Sequence, residues 1–276
     1  MRTFKLTTTI VAAITALTLT GAQAEEVAPL FPLPFTPDFT RGSGWGIALG
    51  AGVEYENAYA GSDEYEFEVD PALAIQWRTG SHLFSWEGLE LSYTTRQKDL
   101  WYFQVDLGWD GEREESDSDD GRLDGLADRD DELSVTGEVR YALDDEWRNY
   151  IGTRISVGDG DFGTKGFIYA GHRLSSRQDG GGTEIFLYAT FADSNHLNWD
   201  FGVSQTEAAA SGLPETDLDG GHRSTGLRLV DRRFVSEHIQ IVSGLEFEYY
   251  SRDVQDSPVA REDFGLEVEL GMLYHF

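Results

Sequence analysis

From Gly44 onward the chain is written with period two, and that alternation limits its fold more than any other feature. Trp45, Ile47, Leu49, Ala51, Val53 and Tyr55 alternate with Gly46, Ala48, Gly50, Gly52 and Glu54. Successive side chains of a strand point to opposite faces, so this segment is a strand with one apolar side and one small or polar side. Tyr65, Phe67, Val69, Leu73, Ile75 and Trp77 then alternate with Glu64, Glu66, Glu68, Asp70, Gln76 and Arg78. The same rhythm returns at Trp101–Trp109, Leu133–Leu143 and Ile239–Tyr249.

A soluble β-sandwich also alternates, with its apolar face in a core. Here the apolar faces carry Trp, Tyr or Phe near the strand ends, the arrangement of aromatic girdles at two bilayer interfaces. The alternating segments run about 10–14 residues, above the five or six of soluble sheets and enough to cross a bilayer when tilted. Charges collect on the opposite face, where a polar interior solvates them. The expected fold is all-β, a transmembrane antiparallel up-and-down barrel. Composition removes the competing classes. With 21 Lys plus Arg against 50 Asp plus Glu, the formal charge of −29 is wrong for a nucleic-acid partner. The absence of cysteine excludes a disulfide scaffold and thiolate metal sites.

Upstream of the strands, Arg2 and Lys5 precede the uncharged stretch Leu6 to Leu19, and Ala22-Gln23-Ala24 fits the A-x-A cleavage rule. Residues 1–24 read as a signal peptide cleaved near Ala24; the bland alternative is a buried N-terminal helix. Residues 25–43, with Pro29, Pro32, Pro34 and Pro37, read as an extended leader, and 44–276 as one barrel domain. The expected location is the bacterial outer membrane, with lipid and lipopolysaccharide around the wall.

Spanning segments are expected near 44–56, 64–78, 99–109, 132–143, 147–158, 164–174, 183–192, 222–231, 237–251 and 262–276. The stretch 82–95 reads as one strand or a tight pair around Glu87-Gly88. Twelve strands is the preferred count and ten the alternative. Bacterial barrels have short periplasmic turns and longer outer loops. That rule puts 110–131, 193–221 and 252–261 outside, and Asp144-Asp145-Glu146 and the Asp231–His238 turn inside. Phe264, Leu266, Val268, Leu270, Met272, Tyr274 and Phe276 form one face of the final strand. Its aromatic end, Tyr274 and Phe276, looks like the signal read by the barrel assembly machinery.

Four clusters interrupt the alternation. They are Tyr59-Ala60-Gly61-Ser62-Asp63, the run Arg122-Leu123 to Asp131, Phe201-Gly202-Val203-Ser204 followed by Ser211-Gly212-Leu213-Pro214, and Asp256-Ser257-Pro258-Val259. In order and spacing the chain resembles the MipA/OmpV family of outer-membrane proteins over nearly its whole mature length. It departs from the family pattern at Ala58, where a proline is usual, and in the strong acidity of 110–131. The resemblance implies a non-enzymatic outer-membrane scaffold, with a lytic transglycosylase and a bifunctional penicillin-binding protein as partners; other members are porin-like or adhesive. It singles out Tyr59, Gly61, Ser62, Asp63, Phe201, Gly202, Val203, Ser211, Gly212, Leu213, Pro214, Ser257 and Pro258. Their bland reading is loop geometry, with Phe201 packing over the barrel mouth.

Chemistry beyond that is thin, and no cofactor or metal is expected. A rim hydrolase needs a Ser–His–carboxylate set. His196 and His222 bracket 193–221 with Ser204, Ser211 and Ser224 nearby, but no G-x-S-x-G elbow is present, and solvated loop histidines are the simpler reading. Asp117-Ser118-Asp119-Asp120-Gly121 resembles a calcium loop, yet the EF-hand register puts Ser116 first and Ala127 twelfth, which excludes one. The acidic segment 110–131 is expected to be a solvated, self-repelling loop, with loose gathering of divalent cations as the other reading. Inward-facing Glu64, Glu66, Glu68, Glu246, Glu248, Glu267 and Glu269, with Glu138, Arg140 and Arg154, imply a mostly negative lumen. Two readings stay open: a small cation-preferring channel, or carboxylates paired with Arg in a filled interior.

Overall fold

A computed structural model describes residues 43–97, 100–110, 113–129, 132–145, 147–176 and 181–276. The expected signal peptide at 1–24 and all of the expected leader except Ser43 lie outside the described residues.

The chain forms a closed barrel of twelve antiparallel strands in sequence order, with β12 pairing back onto β1. The strands are β1 (Gly44–Asn57), β2 (Tyr65–Thr79), β3 (His82–Glu87), β4 (Glu90–Gln97), β5 (Trp101–Asp110) and β6 (Glu132–Ala142). They continue with β7 (Asn149–Gly158), β8 (Thr164–Ser176), β9 (Gly182–Ala192), β10 (Gly221–Phe234), β11 (Ile239–Tyr250) and β12 (Phe264–His275). The preferred count of twelve holds because 82–95 is a pair of strands, turning at Gly88 in the left-handed region. The last inner turn is tighter than expected: β10 runs on to Phe234, so only 235–238 connects it to β11.

The alternation decides which way each side chain faces. Leu49, Val53, Phe67, Val105, Leu187, Leu245 and Leu270 point out and are exposed, while the intervening residues face inside and are more covered. Pairing of β12 with β1 closes the ring, which is what lets a sheet stand in hydrocarbon. Trp45 and Trp77 face each other across β1–β2 near one end, and Tyr55 and Phe67 near the other. These rings mark the two borders of the apolar band.

The lumen is filled by side chains. Tyr150, Phe167, Tyr169, Phe186, Tyr188 and Val230 form an apolar cluster inside β7–β10. Three of the tyrosines lie across glycines on the neighbouring strand. A side chain at Gly152, Gly171 or Gly226 would strike the ring of Tyr169, Tyr150 or Tyr188 respectively, so these small residues make room for large ones.

The end that carries the long connections, outward by the barrel rule, is closed by folded segments. The β9–β10 connection holds helices α1 (Ser194–Phe201) and α2 (Gln205–Ser211), and the β11–β12 connection a single turn α3 (Arg252–Gln255). The acidic β5–β6 connection contains a 3-10 turn at Glu115–Asp117 and buries Leu123 and Leu126. Its carboxylates at Glu114, Glu115, Asp119, Asp120, Asp124 and Asp128 stay exposed, while two leucines and the Arg113 side chain tie the segment down.

Candidate functional site

The motif segments, distant in sequence, meet in this outer cap. In the β1–β2 connection Gly61 has φ +81°, where a side chain is strained, and a Cβ would stand 3.1 Å from Ala260. Its carbonyl accepts from the Arg261 N–H at 2.6 Å and the Glu262 N–H at 3.0 Å, and its N–H donates to the Tyr250 hydroxyl at 3.3 Å. Ser62 is buried; its N–H donates to the Tyr59 carbonyl at 2.9 Å and its hydroxyl accepts from the Glu64 N–H at 3.0 Å. Asp63 meets Arg261 at 3.3 Å. Tyr59 packs with Ala58, Leu123, Leu126, Val203 and Val259, and burial pushes its phenol up to about 12.

Phe201 is the centre of a second cluster with Leu197, Leu218, Tyr250 and Val254. It ends α1, where the Gly202 N–H returns to the Asn198 carbonyl at 3.1 Å. The Phe201 carbonyl accepts from the Ser257 hydroxyl at 2.6 Å, joining the β9–β10 and β11–β12 connections. Val203 forms an isolated bridge with Thr216. α2 opens with a capping box, Ser204 and Glu207 each satisfying the other's backbone N–H, and closes at Gly212 in the left-handed conformation. The Ser211 hydroxyl donates to the Glu207 carbonyl at 2.7 Å and accepts from the Leu213 N–H at 3.2 Å. Leu213 packs on the Tyr59 cluster, while Pro214 is exposed, its carbonyl accepting from the Thr216 hydroxyl at 3.1 Å. The Pro258 carbonyl accepts from the Arg122 guanidinium, which ties in the acidic connection.

Arginines finish the cap. Arg113 donates to the Asp200 carbonyl at 2.6 Å, and burial together with neighbouring Arg129 lowers it to about 10. Glu207 takes a hydrogen bond from the Ala127 N–H and an ion pair from Arg129, both at 3.0 Å. Burial raises the Glu207 carboxyl, but Ser204, Ala127 and Arg129 outweigh it and hold the group down at about 2.

Beneath the cap the lumen carboxylates meet the arginines of β10. Arg223 bridges Asp200 at 3.3 Å and Glu248 at 2.8 Å. Arg228 reaches Glu246 at 3.0 Å, Glu267 at 3.1 Å and Glu269 at 3.4 Å. On the far side Arg140 and the Tyr169 hydroxyl hold Glu138, and Arg154 lies 3.5 Å from Asp106. Glu66 and Glu68 face inward on β2, in register with Glu56 and Glu54 of β1. Glu64 does not face the lumen: it precedes β2 on the rim, where its carboxylate accepts from the Asp119 N–H at 2.9 Å. A cavity of about 50 Å3 remains between cap and lumen, bordered by Glu56, Arg223, Glu246, Glu248, Tyr250 and Glu267.

The histidines are not a solvated pair. His196 is buried, its Nδ1 3.0 Å from the Phe162 carbonyl and its Nε2 3.6 Å from Asp200. His222 lies on the outer face of β10, 3.0 Å from the Thr225 hydroxyl. The structure brings neither to Ser204 or Ser211, and no metal cluster occurs among the described residues. Asp200, Arg223 and Arg228 are the ties that the sequence reading missed; Arg228 and Arg232, two basic residues on the inward side of an alternating strand, were the signal available.

The family model described as MltA-interacting protein MipA matches residues 49–276. The chain belongs to the MipA family. No curated protein matches it. In overall shape this MipA-family barrel is similar to the CymD monoaromatic hydrocarbon channel (8% identity, TM-score 0.45, covering 86% of this chain and 89% of that one). It is also similar to the Pseudomonas putida toluene transporter TodX (11%, TM-score 0.42, 87% and 90%) and an anion-selective porin from Comamonas acidovorans (10%, TM-score 0.36, 85% and 99%). The family and the closed, outwardly apolar barrel together place the chain among outer-membrane β-barrels.

Proposed function

We propose that this protein is a non-enzymatic outer-membrane scaffold whose partners are murein enzymes, a lytic transglycosylase and a bifunctional penicillin-binding protein. The observation that carries the reading is membership of a family described as MltA-interacting. The cap supports it: the motif residues are spent on closing the barrel mouth, so recognition falls to the periplasmic turns and the leader 25–43. Export by cleavage near Ala24 and assembly through Tyr274 and Phe276, whose rings meet at 4.9 Å, belong to the same proposal. Mixing the full-length barrel with both purified enzymes tests it. Co-elution of either enzyme supports the scaffold, and recovery of neither sinks it.

The acidic wall formed by Glu54, Glu68, Glu267 and Glu269 favours a second reading, a small cation-preferring channel. Against it stand the ion pairs and aromatic rings that occupy the lumen. Planar-bilayer recording separates the two: steady cation-selective openings favour the channel, and silence from folded protein favours the scaffold.

A further inference from the structure

The wall is not equally high all round. β2 spans Tyr65–Thr79, but its pairing with β3 begins only at Ala74, and the β3–β4 hairpin turns back at Gly88. On that side no described strand pairs with the backbones of Tyr65, Phe67, Val69 and Pro71, and the Gly88 N–H donates to the Leu73 carbonyl at 3.3 Å. Pairing of β4 with β5 likewise ends at Leu91 opposite Leu107. The result is a notch between β2 and β5, about 14 Å wide from three strand spacings.

The backbone direction along this edge follows from the same hydrogen bond. In an antiparallel strand the N–H and C=O of one residue point the same way, and alternate residues point to opposite sides. Since the Leu73 carbonyl faces β3, the amide groups of Tyr65, Phe67 and Val69 and the Pro71 carbonyl face the notch. Pro71, which lacks an N–H, sits where a proline is tolerated, on an edge. Phe67 is 78% exposed and Val69 67%, well above most outward residues of the wall, because one side of each is bare. Phe67 marks the border of the apolar band and Val69 and Pro71 lie inside it, so the bare Val69 and Pro71 groups stand at membrane depth, where open sheet edges do not persist.

We propose that the notch is a docking edge for an extended polypeptide segment added antiparallel to β2. A periodic row of donors and acceptors is matched by another backbone and by no lipid headgroup. The chemistry of the segment follows from what lies inside the edge: Glu66, Glu68 and Asp70 on β2, and Glu87 and Glu90 at the hairpin tip. The partner strand therefore carries Lys or Arg at lumen-facing positions and apolar residues toward lipid. A second copy of this chain is a poor occupant, since it would set like carboxylates against each other.

The test uses the full-length barrel folded in detergent micelles and a fluorescent heptapeptide of alternating lysine and valine, with binding read by anisotropy. In the docked pair the valine amides face β2 and the lysine amides face away. N-methylation of the valine amides is expected to weaken binding by about tenfold or more, and N-methylation of the lysine amides by less than about twofold. Val69→Pro removes an edge N–H that no described strand uses, and matches the valine-methylated loss while the folded band persists on unheated gels. Glu66→Gln/Glu68→Gln/Asp70→Asn weakens the unmodified peptide by a similar factor. Equal binding of the two methylated peptides would reduce the notch to a charged surface and overturn the proposal. So would failure of the unmodified peptide to bind folded barrel, or its displacement by dodecylamine as readily as by unlabelled peptide.

Discussion

Arg228 on β10 touches carboxylates from β11 and β12 and is almost fully buried. Removing one partner of a buried ion pair strands the other charge at a cost of about 3–5 kcal/mol. Arg228→Met is therefore expected to lower the unfolding midpoint of the micelle-bound barrel markedly, and Arg228→Met/Glu267→Gln to recover part of the loss. At Gly61, an alanine would adopt a left-handed backbone beside Ala260, a penalty of about 1–3 kcal/mol. Glu207 sets a pH window for the cap. Its carboxyl is depressed from 4.5 to about 2, so its stabilisation is complete above pH 4.5 and lost as pH falls toward 2. Hydrogen exchange of the Ala127 amide, which donates to Glu207, is expected to accelerate over that interval, and Glu207→Gln to flatten the response.

Among the elements, α1 and α2 hold the cap together through Phe201. Phe201→Ala removes the ring that Tyr250 and Arg223 pack against and is expected to cost about 3–5 kcal/mol locally. Limited trypsin digestion reads it out: cleavage at Arg122 and Arg129, both tied to the cap, should speed up while the strands survive. The strands themselves were legible because each residue in them votes on the same period-two pattern. The cap was legible only as motifs, since its contacts join Gly61 to Arg261 and Ser257 to Phe201 across long stretches of chain. Two local signals did exist. Ser204 and Glu207 stand at capping-box spacing, which marks the start of α2. Pro71 inside an alternating run marks an edge in what otherwise reads as a fully paired strand. The orientation of His196 was not readable, because burial depended on Phe162 from another connection.

At the scale of the molecule, a barrel with a filled lumen and a folded cap is expected to be electrically silent in a planar bilayer. The interior charges are sorted by wall. Arginines at 223, 228 and 232 stand on β10, while Glu246, Glu248, Glu267, Glu269, Glu54 and Glu68 occupy the strands that follow and close the ring. Glu269, Glu54 and Glu68 lie directly opposite one another across three strands. This sorting has a meaning in time as well as in space. If β12 comes last to β1, it brings two carboxylates to a seam that already holds two, and that meeting is repulsive until Arg228 reaches across β11. Closure of the ring is thus conditional on β10 having been laid down correctly, and a chain with a misregistered β10 is left open at the seam, displayed to whatever machinery inspects unfinished barrels.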